Sequence, residues 1–213
     1  MCFSATASFI AGTGLLAIGV IAIKRSKNTP QYVLACIPVV FAIQQFTEGL
    51  LWLAISEAEY ARWRQLAMYL FLIFAQIVWP ILVPTSILLF EKDRLRKKIL
   101  YILLGSGVLA ALYLGYSLIY YGATATIENH HIKYQLDFPF SGKVLRGIPY
   151  MLATAISPFI SSNKWLRLLG WALAISYVFT AFMYIDYLTS VWCYFGAILS
   201  ALILFIIRKT SYN

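Results

Sequence analysis

Residues Tyr32–Ile55 read YVLACIPVVFAIQQFTEGLLWLAI. The run holds 24 residues, a single charge at Glu48, and no Lys or Arg. A helix of that length rises about 36 Å, enough to cross roughly 30 Å of bilayer hydrocarbon. Six further apolar runs flank it. Ser8–Ile23 is stopped by Lys24, Arg25 and Lys27. Leu66–Phe90, Ile99–Tyr121, Trp165–Ile185 and Leu188–Ile207 follow, the last ended by Arg208 and Lys209. Lys143–Ser161 is the least apolar, with Lys143 and Arg146 expected to snorkel at its start. The expected fold class is therefore all-α: a single domain over residues 1–213, a polytopic membrane bundle of seven transmembrane helices.

Composition excludes the alternatives. The chain is 62% hydrophobic and 12% charged, with a mean hydropathy of +0.78. Soluble domains run at about 45–50% apolar and about 25% charged. The net charge of +9 does not indicate nucleic acid, because the basic residues form short clusters between apolar runs. Three cysteines in no metal or disulfide spacing leave no small-domain framework. The first residues carry no basic n-region, so no cleaved signal peptide is expected.

Lys and Arg in short loops set orientation. With the N-terminus outside and the C-terminus inside, 12 basic residues fall inside and 5 outside. The expected location is the cell membrane, with the lipid bilayer as the first partner. The one long outer loop lies between helices four and five. There Ile132, Tyr134, Leu136 and Phe138 alternate with Lys133, Gln135 and Asp137, which predicts a short β-hairpin turning at Glu128–His131. An irregular solvated loop is the competing reading. Aromatic residues crowd the outer boundary, as in an interfacial belt.

Glu48 is the one acidic residue well inside a span, roughly 10 Å below the outer end of its helix. A carboxylate facing lipid there is costly, so it is expected to face the bundle interior as a candidate site. Gln44, Glu48 and Trp52 are spaced i, i+4, i+8 and share a face, with Gln45 beside them and Gln76 at a similar depth. Helix-to-helix glue is the alternative role for this polar seam. Asp186 and Trp192 belong to the same outer layer. So do Cys2, His130, His131 and Cys193, the ligand types zinc or copper takes. Their spacing matches no metal motif, and a Cys2–Cys193 disulfide or a solvated turn around the histidines competes with ligation. Trp79-Pro80 and Pro84 mark a kink in the third run.

The opening MCFSATASF, with QQFTEGLLWL and WPILVPTS, resembles a family of short bacterial multi-pass membrane proteins with that N-terminal signature. Cys2, Ser4, Ser8, Gln44, Gln45, Glu48, Gly49, Trp52, Trp79 and Pro80 carry the match. The resemblance implies a fold and a habitat, and no reaction. A looser similarity is to seven-helix zinc amidohydrolases of the alkaline ceramidase and adiponectin receptor type. Their HxxxH pair in the last helix is replaced here by Trp192-Cys193-Tyr194.

Three functions compete at this point. One is a binding or sensing module with an outward-opening polar pocket around Glu48, taking a cation, a metal or a small amphiphile. Gln44, Gln45, Trp52, Gln76, Asp186 and Trp192 would bind the ligand. The second is a membrane-embedded metal-dependent hydrolase. Glu48 would be its general base, with zinc on Cys2, His130, His131 or Cys193. The third is an ion-coupled transporter, disfavoured by scarce intramembrane charge and no visible inverted repeat.

Overall fold

The computed structural model describes residues 4–138 and 143–210, and the side chains of Lys143–Arg146 lie outside that description. The fold is an all-α bundle. Helix α1 (Ala5–Arg25) opens on Ser4, whose hydroxyl accepts the Ala7 N–H at 3.2 Å. It closes on Lys24 and Arg25, which suit the negative end of a helix dipole. Asn28 caps α2 (Thr29–Ser56) by accepting the Gln31 N–H at 3.1 Å. The two helices pack closely because α1 offers glycines. A Cβ at Gly12 would strike the Phe46 ring, and one at Gly19 would strike Val39.

The third run is broken at its prolines, where the sequence marks a kink. A 3₁₀ turn (Ala58–Trp63) leads into α3 (Arg64–Ile73), then a π-helical turn (Phe74–Val78), then α4 (Trp79–Phe90). Pro80 and Pro84 cannot donate to the preceding turn, so the backbone there is re-satisfied from outside. Tyr150 adds a bond to the π turn from outside the helix, its hydroxyl donating to the Ala75 carbonyl at 2.6 Å. Helix α5 (Arg94–Tyr120), capped by Asp93, crosses α4 so closely that the Pro80 carbonyl occupies the place a Cβ would take at Gly107.

Next comes the hairpin, β1 (Ala123–Glu128) paired antiparallel with β2 (His131–Leu136). Its two-residue turn puts Asn129 at φ 48° and His130 at φ 60°. Two positive φ values are what a type I′ turn demands. Ala125 opposes Tyr134 and Ile127 opposes Ile132, giving one apolar face that packs on the bundle. Ala125 and Ile132 are buried there, and Tyr134 stacks on Phe71 with centroids 4.8 Å apart.

The rest of the chain is α6 (Lys143–Met151), a second π turn (Leu152–Ile156), α7 (Ser157–Ile160) and α8 (Lys164–Met183). A 3₁₀ turn (Ile185–Tyr187), α9 (Leu188–Ser200) and α10 (Leu202–Thr210) complete it. Among the described residues, six helical segments are long and apolar enough to cross a membrane, and Gly147–Ile160 is a shorter apolar helix. That shorter piece is the least apolar run of the sequence, interrupted by Pro149 and Pro158. Large apolar side chains point outward, Ile102 at 72% and Phe182 at 84% exposed, as a bundle solvated by lipid requires.

The bundle has two chemically different ends. At one, the Glu91 carboxylate accepts the Ser162 N–H at 2.6 Å and the Ser162 hydroxyl at 2.9 Å, and Arg96 donates to the Ile160 carbonyl at 3.0 Å. The other end carries the hairpin, tied down by Arg64 donating to the Ala125 carbonyl at 2.7 Å and by Asn129 donating to the Tyr187 hydroxyl at 3.2 Å.

Candidate functional site

The polar residues of α2 lie in the interior of the bundle. Gln44, Gln45 and Glu48 are each 0% exposed. Ser190 of α9 donates its hydroxyl to Glu48 Oε1 at 2.6 Å. Trp79 of α4 donates its indole N–H to Gln44 Oε1 at 2.7 Å, with Phe41 stacked on it at 3.8 Å between centroids. Three helices thus meet on one polar seam, α4 and α9 each through a bond to α2. Among the described residues, neither amide atom of Gln45 has a hydrogen-bond partner, nor does the indole N–H of Trp52. Gln44 and Glu48 both lie within electrostatic reach of the Cys193 thiol, which is buried and free.

Cys193 is where the seam meets open space. A chamber of about 550 Å³ lies beneath the hairpin. Its walls are β2 from Lys133 to Leu136, the first π turn at Ala75 and Gln76, α6 at Gly147 and Tyr150, Tyr177 of α8, and α9 at Thr189, Trp192 and Cys193. Asp186, in the 3₁₀ turn before α9, also borders it. The lining pairs rings with polar atoms. Trp192 sits edge-on between Tyr150 at 6.0 Å and Tyr177 at 5.2 Å, centroid to centroid. Among the described residues its indole N–H has no partner, and neither has the Oε1 of Gln76, a residue only 7% exposed. A second cavity of about 60 Å³ lies deeper in the bundle and shares Tyr150, Trp192 and Cys193 with the chamber.

Charge at the chamber's rim is partly compensated. Lys133 pairs with Glu128 at 2.9 Å. That bond holds the Glu128 carboxyl below its usual range and the Lys133 ammonium above its own. Asp186 acts on Lys133 as well. His131 stacks on Tyr187 at 4.7 Å and meets Tyr184 edge-on at 5.2 Å. Burial, with His130 adjacent, pulls His131 below the ordinary histidine value.

The sequence-predicted residues therefore separate into groups. Gln76, Asp186, Trp192 and Cys193 border the chamber. Gln44, Gln45, Glu48 and Trp52 are not among its lining, and stand behind it on α2. His130 is exposed at the hairpin turn, His131 is enclosed by tyrosines, and Cys2 lies outside the described residues. Among the described residues, no three His, Cys, Asp or Glu side chains come together to hold a metal ion. Sequence reasoning did not single out Ser190 or Tyr177, and placed Tyr150 only in the outer aromatic layer. A serine one turn into an apolar helix was a legible signal, whereas Tyr177, one tyrosine among 15, was not.

One family model matches residues 1–213, described as a family of unknown function, DUF6629. The chain belongs to that family. No curated protein and no solved structure matches it. The similarity to zinc amidohydrolases thus has no matching protein behind it.

Proposed function

We propose that this protein is a binding module of the cell membrane that takes a small amphiphilic ligand into the chamber beneath β2. In this reading the chain crosses the membrane seven times, the helical stretch Lys143–Ile160 making the fifth crossing. The hairpin end faces outside, supported by the split of 12 basic residues to 5 between the two ends. The observation that carries the ligand reading is the chamber's lining. Tyr134, Tyr150, Tyr177 and Trp192 line it together with Gln76, Gln135, Thr189 and Asp186. Sites of this kind combine apolar walls with a few placed polar groups. Glu48 supports the site from behind, fixing α2 to α9 through Ser190 next to Cys193.

Cys193 reports on the chamber directly. The test uses protein with Cys193 as its sole cysteine (Cys2→Ser, Cys36→Ser) in lipid nanodiscs, treated with a water-soluble methanethiosulfonate reagent. We expect Cys193 to be modified in the folded protein. Gly147→Trp should slow that severalfold, because the space around Gly147 is open and the indole would fill the chamber. Modification only after denaturation in SDS would refute the reading.

A further inference from the structure

At the end of the bundle away from the hairpin, α4 turns into α5 and α7 turns into α8, and the charge there is uncompensated. Five of the seven residues from Lys92 to Lys98 are basic, and Lys164 and Arg167 stand in the first turn of α8. Two acids lie among them, and both are turned onto backbone N–H groups. Glu91 accepts the N–H of Lys92, Asp93 and Ser162 as well as the Ser162 hydroxyl, and Asp93 caps α5 by accepting the Arg96 N–H at 2.9 Å. Among the described residues no carboxylate pairs with a cation at this end, since the ion pair they form, Lys133 with Glu128, is in the hairpin.

Two of these cations are fixed in place. Arg96 donates from Nη1 to the Ile160 carbonyl at 3.0 Å, and Arg167 donates from Nη1 to the Ser161 and Ser162 carbonyls, each at 3.0 Å. Three consecutive carbonyls thus bring guanidiniums from two helices to one loop, and both arginines are half-buried there. A guanidinium has five N–H donors, and the carbonyls use only those on Nη1, which leaves Nε and Nη2 of each arginine for a ligand. Like charges set close together repel, and an anion placed against both removes that cost. Planar forks held in position suit phosphate, which they bind in pairs of hydrogen bonds. One turn further along each helix the surface becomes apolar: Ile99 follows Arg96 and Trp171 follows Arg167, 36% and 60% exposed. Trp171 meets Phe159 of α7 edge-on at 4.9 Å, so the three helices share that apolar surface. Phosphate donors over exposed apolar side chains repeat the layering of a phospholipid.

We infer that Arg96 and Arg167 form a headgroup site for an anionic phospholipid, the phosphodiester lying against both guanidiniums and the acyl chains against Ile99 and Trp171. Lys97 and Lys164 flank the pair and add to the attraction. With seven cations and two backbone-bound acids around it, the site disfavours a headgroup that carries a positive charge of its own. The site lies at the other end of the bundle from the chamber and does not depend on it.

The test is native mass spectrometry of the full chain in detergent, titrated with phosphatidylglycerol or with phosphatidylcholine of the same acyl chains. Phosphatidylglycerol should bind about fivefold more tightly, the effect of one charge near a surface cation. Arg96→Gln with Arg167→Gln should weaken it about thirtyfold, about fivefold for each cation removed. Lys24→Gln with Arg25→Gln takes the same charge from the end of α1, at the same end of the bundle, and should leave the affinity almost unchanged. Each double variant is first checked for cooperative unfolding in SDS. If the arginine pair does not fold without its carbonyl bonds, Lys97→Gln with Lys164→Gln, which leaves those bonds in place, stands in and should still lose more affinity than the α1 pair. Equal losses in the site and α1 variants would show a diffuse cationic surface and overturn the site. Equal binding of the two lipids would overturn the anionic headgroup. Displacement of the lipid by an equal concentration of inorganic phosphate would overturn the phospholipid as occupant and leave a phosphate site in its place.

Discussion

Glu91→Gln tests the junction that closes the basic end of the bundle. Glu91 is 1% exposed, and its carboxylate accepts four hydrogen bonds. Lys92 N–H at 2.9 Å and Asp93 N–H at 3.0 Å are local, and they shape the turn into α5. Ser162 N–H and hydroxyl are not local, and they tie this loop to the one before α8. A hydrogen bond to a charged group contributes about 1.5–3 kcal/mol, so the two bridging bonds contribute about 3–6 kcal/mol. Glutamine keeps one acceptor oxygen without charge, worth about 0.5–1.5 kcal/mol. The expected loss is about 2–4 kcal/mol, read from SDS unfolding of the purified protein at neutral pH. The pH dependence carries a second signature. Burial alone would raise the Glu91 carboxyl, but its hydrogen bonds from Ser162, Asp93 and Lys92 outweigh burial and hold it below its ordinary value of 4.5. A lowered carboxyl contributes stability that is complete above the unfolded value and lost as pH falls through the folded one. The gap between wild type and Glu91→Gln should therefore be full at neutral pH and close below pH 4.5. A variant within about 0.5 kcal/mol of wild type at neutral pH, the range of an ordinary surface substitution, would refute the reasoning. So would a gap that does not close in acid.

Gly107→Ala should lower stability by about 1–3 kcal/mol in the same assay, because the Pro80 carbonyl fills the site of the new methyl. Gly105→Ala, two residues away in open space, should be neutral or stabilising by up to about 1 kcal/mol. His130→Gly should slow amide exchange in the hairpin, since a non-glycine residue at φ 60° costs about 1–2 kcal/mol; unchanged exchange would contradict the turn assignment. Ser190→Ala removes the hydroxyl that Glu48 accepts and should cost about 1–3 kcal/mol, with Ser190→Thr recovering part of it.

What the sequence made legible follows from periodicity and from the cost of charge in hydrocarbon. The hairpin could be read because Ile132, Tyr134 and Leu136 alternate with polar neighbours, and a period of two survives whatever packs against it. Gln44 and Glu48 could be placed on one helix face by spacing alone. The chamber could not. It is made by β2, α6, α8 and α9 coming together, and no local pattern states which helices become neighbours. Glu91 was unreadable for the same reason, since its partner at Ser162 is 71 residues away.

The two π turns explain why space exists beside the seam, and they can be tested. Phe74–Val78 ends two residues before Pro80, and Leu152–Ile156 ends two residues before Pro158. In an unbroken α-helix the donor to residue i−4 is the N–H of residue i, which proline lacks. The two carbonyls so deprived are those of Gln76, which borders the chamber, and Thr154, which borders the apolar cavity. A π turn widens the helix by one residue, so these prolines set how far α4 and α7 stand from their neighbours. Replacing both, Pro80→Ala with Pro158→Ala, restores the missing donors and lets each helix tighten to α geometry. We expect the double variant to be more stable in SDS unfolding and Cys193 to react more slowly, as the chamber narrows. A double variant that gains stability while Cys193 reacts at the wild-type rate would show that the chamber owes nothing to the prolines, and that its opening is set by the hairpin and α9 alone.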